Sequence, residues 1–445
     1  MSWAEAELKT MDLGDERRNR RVVEVMGQLG ERPSASVPKA SGKWADTIAA
    51  YRLFGNEAVD WRDIHEAHVD SAVERMAEHE VVLCIQDTTE LDFNGRKIEG
   101  LGRLNYEARR GMYVHPTYAV SPQRVPLGVL DAWMWARQPK TGKGKRAGVR
   151  ESLRWVEGYQ RLAELAPQLP GTRLVYVADR ESDIMELMAA ARDCGTPVDW
   201  LLRSQHNRAL AEGDKLWDSV MRGQPLGEVR FTLPARPGRR AREVVQQVWA
   251  GQVQLPDGAG SCIQASCIVA REVDPPADVE TLEWRLVTNR EVNDMQQAAQ
   301  MIDWYRARWE IEMYFHVLKN GCRVEALQLR SIEKIERALV LYMVVAWRIA
   351  ALMRLGRSCP DMDAQVMFEP DEWKAAYILN KLPPPQSPPK LNDVVRLVAR
   401  LGGFLARKGD GEPGVKTIWE GMQRIFDAVI AMEYSRQLQA VGRCV

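Results

Sequence analysis

Apolar residues switch between two spacings along this chain, and the switches divide it. Through the first sixty residues the spacing is helical. Val22, Val23, Val25, Met26 and Leu29 form one apolar face in a segment that opens with Arg17, Arg18, Arg20 and Arg21. A loop rich in Pro, Ser and Gly is predicted over 33–42, followed by a second helical stretch over 44–54. From residue 81 the pattern turns β-like. Val-Val-Leu-Cys-Ile-Gln-Asp (81–87) and Arg-Leu-Val-Tyr-Val-Ala-Asp (173–179) read as buried strands, and each ends in a carboxylate. Two further runs, 113–120 and 125–135, flank Ser121-Pro122-Gln123-Arg124 and predict a hairpin. Helical stretches at 151–165 and 182–192 alternate with these strands, so an α/β domain with a mixed sheet is expected.

Residues 205–285 differ. They are rich in Pro and Gly, with alternating strands at 229–233, 244–248 and 262–271, and predict an all-β insertion. One long amphipathic helix is expected over 293–320, with Gly321 as its stop. A buried helix over 335–355 and a stiff proline-rich connector at 383–389 follow. The last helix, 415–440, carries Ile418, Met422, Ile425, Phe426, Val429 and Met432, a stripe suited to packing or dimerisation. No internal repeat is visible.

Composition narrows the class. At 445 residues the chain is long enough for two to four domains of roughly 100–200 residues. Seven scattered cysteines without a CxxC pair argue against a disulfide framework or a zinc ribbon, and His65 and His68 read as ordinary helix residues. The acidic start Met-Ser-Trp-Ala-Glu-Ala-Glu-Leu lacks the apolar core of a signal peptide. The longest apolar run, 338–347, is half the ~20 residues of a membrane span and ends at Arg348. A cytoplasmic protein without membrane attachment is therefore expected. Sixty-one basic residues balance sixty-one acidic ones, which does not by itself suggest a nucleic-acid partner. The charge is uneven, however. Arg137, Lys140, Lys143, Lys145, Arg146, Arg150, Arg154 and Arg161 face only Glu151 and Glu157, and Arg236, Arg239, Arg240 and Arg242 surround a Pro-Gly turn. A neutral chain with such basic patches can bind DNA, but charge alone does not argue for it.

The densest chemistry lies on the long helix. At ~100° per residue, Tyr305, Arg308, Glu312 and Lys319 fall within a ~60° sector. A carboxylate between two cations and a phenol can serve phosphate and metal together, although Arg308–Glu312 also qualifies as a plain i,i+4 ion pair. Asp87 and Asp179 end strands, where α/β domains place their sites, or else they cap the next turn. If the two aspartates and Glu312 converged, they would form an oxygen-only site for two Mg²⁺ or Mn²⁺ ions, suited to phosphodiester transfer.

The groups Asp87-Thr88-Thr89, Asp179-Arg180-Glu181-Ser182-Asp183 and Tyr305-x-x-Arg308-x-x-x-Glu312 with Lys319 resemble the DDE transposases of the insertion-sequence-four superfamily, and within it the transposon-five branch. Leu13-Gly14-Asp15-Glu16-Arg17-Arg18, Arg203-Ser204-Gln205-His206 and the segment around Trp284 also match, so the resemblance spans nearly the whole chain. It implies an RNase H-like mixed-sheet core (63–360) interrupted by a β insertion (about 207–285). Helical domains would flank it, for DNA binding at 1–62 and for dimerisation at 361–445. It further implies cut-and-paste chemistry through a DNA hairpin. Asp87, Asp179 and Glu312 would hold two Mg²⁺ ions, with Mn²⁺ able to substitute. Tyr305, Arg308 and Lys319 would grip a phosphate, and Trp284 would stack on a flipped nucleotide. Arg203 would contact backbone, and Arg17, Arg18 and Arg21 the transposon-end sequence. The implied partners are the terminal inverted repeats, target DNA and a second copy of the chain. The same carboxylates would also serve an RNase H-like nuclease that cleaves without joining, or persist in a regulatory DNA-binding protein.

Overall fold

The computed structural model describes residues 2–140, 150–210, 213–233, 241–258, 260–277, 279–407 and 409–441. Four helices open it: α1 (Trp3–Glu7), α2 (Glu16–Glu31), α3 (Val37–Ser41) and α4 (Trp44–Phe54). Asp15 caps α2 by accepting from the Arg17 amide, and Val22, Val25, Met26, Leu29 and Gly30 form its buried face. The stretch 33–42 is not all loop, since Pro38 stands in the first turn of α3, where a missing N–H costs nothing. Helix α5 (Trp61–Met76) then leads into the sheet.

Five strands make the central motif: β1 (Val81–Gln86), β4 (Arg110–Val120), β5 (Pro126–Trp135), β6 (Arg173–Ala178) and β7 (Asp199–Arg203). Short β2 (Thr89–Asp92) and β3 (Gly102–Arg103) lie against β4. Strand β4 runs antiparallel to both β5 and β1, whereas β1, β6 and β7 are parallel neighbours. The spatial order β5-β4-β1-β6-β7, with α6 (Leu153–Leu165) and α7 (Met185–Asp193) as crossovers, is the RNase H-like arrangement. Residues 82–86 and 174–178 are buried throughout, as interior strands of a covered parallel sheet must be. The expected hairpin is present, with Arg124 at φ 72° in its turn.

The insertion contains β8 (Gly227–Leu233), β9 (Arg242–Pro256), β10 (Cys262–Glu272) and β11 (Glu283–Thr288). One feature departs from the all-β expectation: the insertion carries a helix, α8 (Leu216–Met221), while its strands extend the central sheet. Strand β11 pairs antiparallel with β7, matching Leu286 to Arg203, and the sheet continues through β10 and β9 to β8. Half-exposed and fully exposed positions alternate along β8, the edge strand of the sheet.

The predicted single helix 293–320 is three pieces: α9 (Met295–Arg306), α10 (Trp309–His316) and a π-helical turn at Val317–Gly321. At the break the amides of Arg308, Glu310 and Ile311 bond to carbonyls three residues back rather than four. The chain therefore tightens just before Glu312 and widens around Lys319. No glycine or proline marks the first irregularity, whereas the second ends on Gly321, where the sequence places the stop.

Helix α11 (Ile332–Ser358) is long and apolar enough to cross a membrane by length and composition, yet most of it is buried inside this fold. It packs on α2, α4, α5, β5, α13 (Leu391–Leu401) and α14 (Val415–Val441), so one core links N-terminal helices, sheet and C-terminal helices. Helix α12 (Pro370–Leu379) precedes the proline-rich connector. On α14, Ile418, Met422, Ile425 and Phe426 are buried, while Val429 and Met432 are partly so. Beyond them Ile430, Tyr434 and Leu438 are exposed.

Candidate active site and nucleic-acid interface

Parallel pairing of β1 and β6 aligns Gln86 with Ala178, so the next residues, Asp87 and Asp179, leave adjacent strands at the same edge. Neighbouring strands lie ~4.8 Å apart. Asp179 caps the turn that follows, accepting from the Glu181 amide at 3.0 Å. Asp87 accepts from the Thr88 amide at 2.7 Å and from Arg308 Nη1 at 2.6 Å. The other arm of Arg308, Nη2, donates to Glu312 at 2.7 Å. The i,i+4 pair legible in the sequence thus exists, but its arginine also spans to a strand end 221 residues away. Burial first, and then the charge of Asp179, push the Asp87 carboxyl up to about 6; Arg308 opposes them and Glu312 adds a little.

Tyr305 is buried, and its hydroxyl has no hydrogen-bond partner. Burial raises its pKa, which Arg308 and Arg203 beside it counteract. Lys319 Nζ donates to Thr89 Oγ1 at 3.4 Å and lies 3.7 Å from Glu325. Asp87, Asp179, Glu312, Tyr305, Arg308, Lys319 and Arg203 thus share one edge of the sheet.

Behind this edge runs a hydrogen-bonded network that the sequence did not reveal. His115 donates from Nε2 to Gln86 Oε1 (3.1 Å) and accepts at Nδ1 from the Thr88 hydroxyl (2.9 Å), the tautomer that satisfies every partner. Gln86 donates onward to Thr117 Oγ1 at 2.7 Å. Burial, and then the Arg154 charge, hold the His115 pKa well below its usual value, so the ring is neutral. Arg154 donates to Thr88 Oγ1 at 3.1 Å and pairs with Glu181, tying the loop after β1 to the loop after β6. Asp183 is fully buried and accepts from the Gln205 and His206 amides (2.6 and 3.0 Å) and from Arg208 (2.6 Å). It therefore fixes the segment after Arg203 beside the Asp179 loop. Between them lies a polar cavity of about 260 Å³ lined by Arg180, Arg203, Gln205, Glu283 and Arg285.

The remaining candidates lie apart from the carboxylates. Trp284 sits on β11, partly buried and stacked on Phe231 with ring centroids 6.2 Å apart. Arg17, Arg18 and Arg21 sit on α2. Arg17 points outward with its side chain 90% exposed, while Arg18 donates to the Leu13 carbonyl and Arg21 pairs with Glu24. Trp309, next to Arg308, is an exposed aromatic that the stripe reading passed over because it lies off the stripe.

The expected basic patch at 137–161 is not a bare one. Arg137, Lys140, Arg150, Arg154 and Arg161 each pair with a carboxylate, and Arg242 pairs with Glu272. Lys143, Lys145, Arg146, Arg236, Arg239 and Arg240 lie outside the described residues. Cations without ion pairs among the described residues occur elsewhere. Arg96, Lys97 and Arg330 line, with Arg110, an open depression of about 670 Å³.

Three family models match successive parts of the chain: a transposase DNA-binding region over 1–59, a transposase DDE domain over 156–348 and a transposase Tn5 dimerisation domain over 344–442. The chain belongs to the DDE transposases. It resembles the Tn5 enzyme in its C-terminal dimerisation domain, and it is a DNA transposase that binds DNA and dimerises. Asp179, Tyr305, Arg308, Glu312 and Lys319 fall inside the DDE match. Asp87 falls between two matches, so its part rests on the shared sheet edge. A cryo-EM structure of a piggyBac transposase synaptic complex with hairpin DNA also aligns, at TM-score 0.38 and 11% identity, over 80% of this chain and 71% of that one. That likeness is too remote to bear on the site.

A DDE domain implies dependence on a divalent metal. The donor chemistry of the edge fits, since its ligands are hard carboxylate oxygens that raise one another's proton affinity and so gain by taking up positive charge. The convergence expected from the sequence is incomplete, however. Among the described residues no three His, Cys, Asp or Glu side chains gather closely enough to hold one ion. Arg308 stands between Asp87 and Glu312.

Proposed function

We propose that this transposase performs cut-and-paste transposition, with Asp87, Asp179 and Glu312 as the ligands of two Mg²⁺ ions for which Mn²⁺ can substitute. One observation supports this above the rest: two aspartates leave adjacent parallel strands at one edge, and a single arginine bridges one of them, Asp87, to Glu312. When bound, such ions would activate an attacking oxygen and stabilise a leaving one.

The chain's own residues orient the DNA. Arg308 and Lys319 supply positive charge, and the unpartnered Tyr305 hydroxyl a hydrogen bond, to a phosphate at the transposon end. Arg203, beside Tyr305, meets the backbone next to the cut. Trp284 stacks on a base drawn out of the duplex, which offsets part of the few kcal/mol that unstacking costs. Arg17, Arg18 and Arg21 contact the terminal inverted repeat. Hydrolysis of one strand frees a 3′-hydroxyl, its attack on the other strand gives a hairpin, a second hydrolysis opens it, and the 3′ end joins target DNA. In this reading residues 1–62 hold the end, 63–360 perform the chemistry and 361–445 pair two copies. The enzyme acts in the bacterial cytoplasm, on the nucleoid.

The test uses DNA bearing the inverted repeats that flank the gene. Glu312→Gln is expected to abolish nicking, hairpin formation and strand transfer while end binding stays near the wild-type level. Equal loss of binding would assign Glu312 a structural role. Hydrolysis products without joined DNA from the wild-type enzyme would favour a nuclease.

A further inference from the structure

The two arms of Arg308 engage the same two carboxylates that the proposed function gives to metal. Nη1 lies 2.6 Å from Asp87 and Nη2 2.7 Å from Glu312. The side chain is almost fully buried, its Nε has no partner, and the tight turn before α10 fixes where it starts. A guanidinium in this position supplies the positive charge that the carboxylates lack, and it presents five fixed donors to oxygen. It also stands between Glu312 and Asp87, so guanidinium and cation compete for the same oxygens.

We propose that Arg308 is an internal counter-ion that holds the site against metal until DNA arrives, so that metal loading and DNA binding are coupled through this one side chain. The idea rests on the metal-site reading above. A DNA phosphate offers Arg308 another anionic partner, with which it forms equally short, charge-assisted bonds. Once the guanidinium turns to phosphate, Asp87 and Glu312 lose their compensating charge and favour a divalent cation. By linkage, metal must then strengthen the hold on phosphate by the same factor. Such a lock would keep a dangerous hydrolytic centre poorly metallated in free protein.

The experiment measures Mn²⁺ binding to the full chain by electron paramagnetic resonance of the free ion, without and with a short DNA duplex at low salt. Arg308→Gln, without DNA, is expected to bind Mn²⁺ about ten-fold more tightly than wild type, a size ordinary for such coupling. Arg308→Lys, whose single ammonium cannot span both carboxylates, should fall between them, and it carries the test if the glutamine variant fails to fold. Adding the duplex should tighten Mn²⁺ binding to wild type but not to Arg308→Gln. Unchanged or weaker Mn²⁺ affinity in folded Arg308 variants, or no effect of duplex on wild type, overturns the proposal. Mn²⁺ binding that is indifferent to Glu312→Gln overturns the metal-site reading instead.

Discussion

The side-chain amide of Gln86 fills the space that a methyl group on Gly158 would need. A Cβ at Gly158 would stand 2.2 Å from Gln86 Nε2, so α6 can lie this close to the end of β1 only with glycine there. Gly158→Ala should push Gln86 away, and with it His115 and Thr88 behind Asp87. Overpacking of this kind costs about 1–3 kcal/mol. Denaturant titration should show that loss, with reduced end cleavage under conditions where the variant is folded. A wild-type midpoint would mean the contact is slack.

Tyr305 separates stability from function. Its hydroxyl is buried without a partner, and such a group costs roughly 1–3 kcal/mol. Tyr305→Phe should therefore melt no lower than wild type, and even slightly higher, while binding cleaved ends more weakly. Thermal melts and end-binding titrations check both. A lower melting point would show that the hydroxyl is satisfied in the free protein.

Arg96 and Lys97 make a prediction about salt. Arginines of the 137–161 cluster spend their charge on neighbouring carboxylates, whereas these two do not. Each phosphate contact contributes ~0.9 to the slope of log affinity against log salt. Replacing both with alanine should lower that slope by up to about 2 with little change in stability. Arg150→Ala, which removes a half of an exposed ion pair, should alter it less.

Glu7 gives a pH dependence. Burial alone would raise its pKa, but the hydrogen bond from His68 and the charge and hydrogen bonds of Arg75 hold it below the usual carboxylate value. A lowered folded-state pKa stabilises above the ordinary carboxylate pKa and is lost as pH falls through the folded value. Glu7→Gln should cost about 1.5–3 kcal/mol at neutral pH. The gap to wild type should close as pH drops below about 4. A gap constant with pH would mean that packing of α1, and not charge, is what the substitution removes.

The legibility of this protein was uneven for physical reasons. Strands ending in Asp87 and Asp179 stood out because a covered parallel strand must be apolar along its length, which makes a terminal carboxylate conspicuous. Their adjacency did not, since it depends on β1 pairing with β6, and pairing is decided by residues nearly a hundred positions apart. The Arg308–Glu312 pair was readable from helical spacing, but the Arg308–Asp87 bond was not. The break at Ala307–Arg308 left no trace either, because no residue there resists helix; the turn is tightened by its tertiary setting. The basic run at 137–161 misled for the opposite reason, as proximity in sequence hid the acids that fold beside it. Asp183 sat within a quoted motif, yet its work, holding the segment after Arg203, shows only in three dimensions.

The insertion shares backbone ladders with the catalytic strands all the way from β2 to β8. Mechanically this makes a single stiff plate, with Asp87 and Asp179 along one edge and Trp284 on a strand two places from β6. Shear between them would have to break the β7–β11 ladder, so the protein has no joint there with which to accommodate a substrate. Whatever helix lies across this plate must itself supply the curvature. Flexible base steps near the transposon end would then be favoured even at positions that no side chain reads.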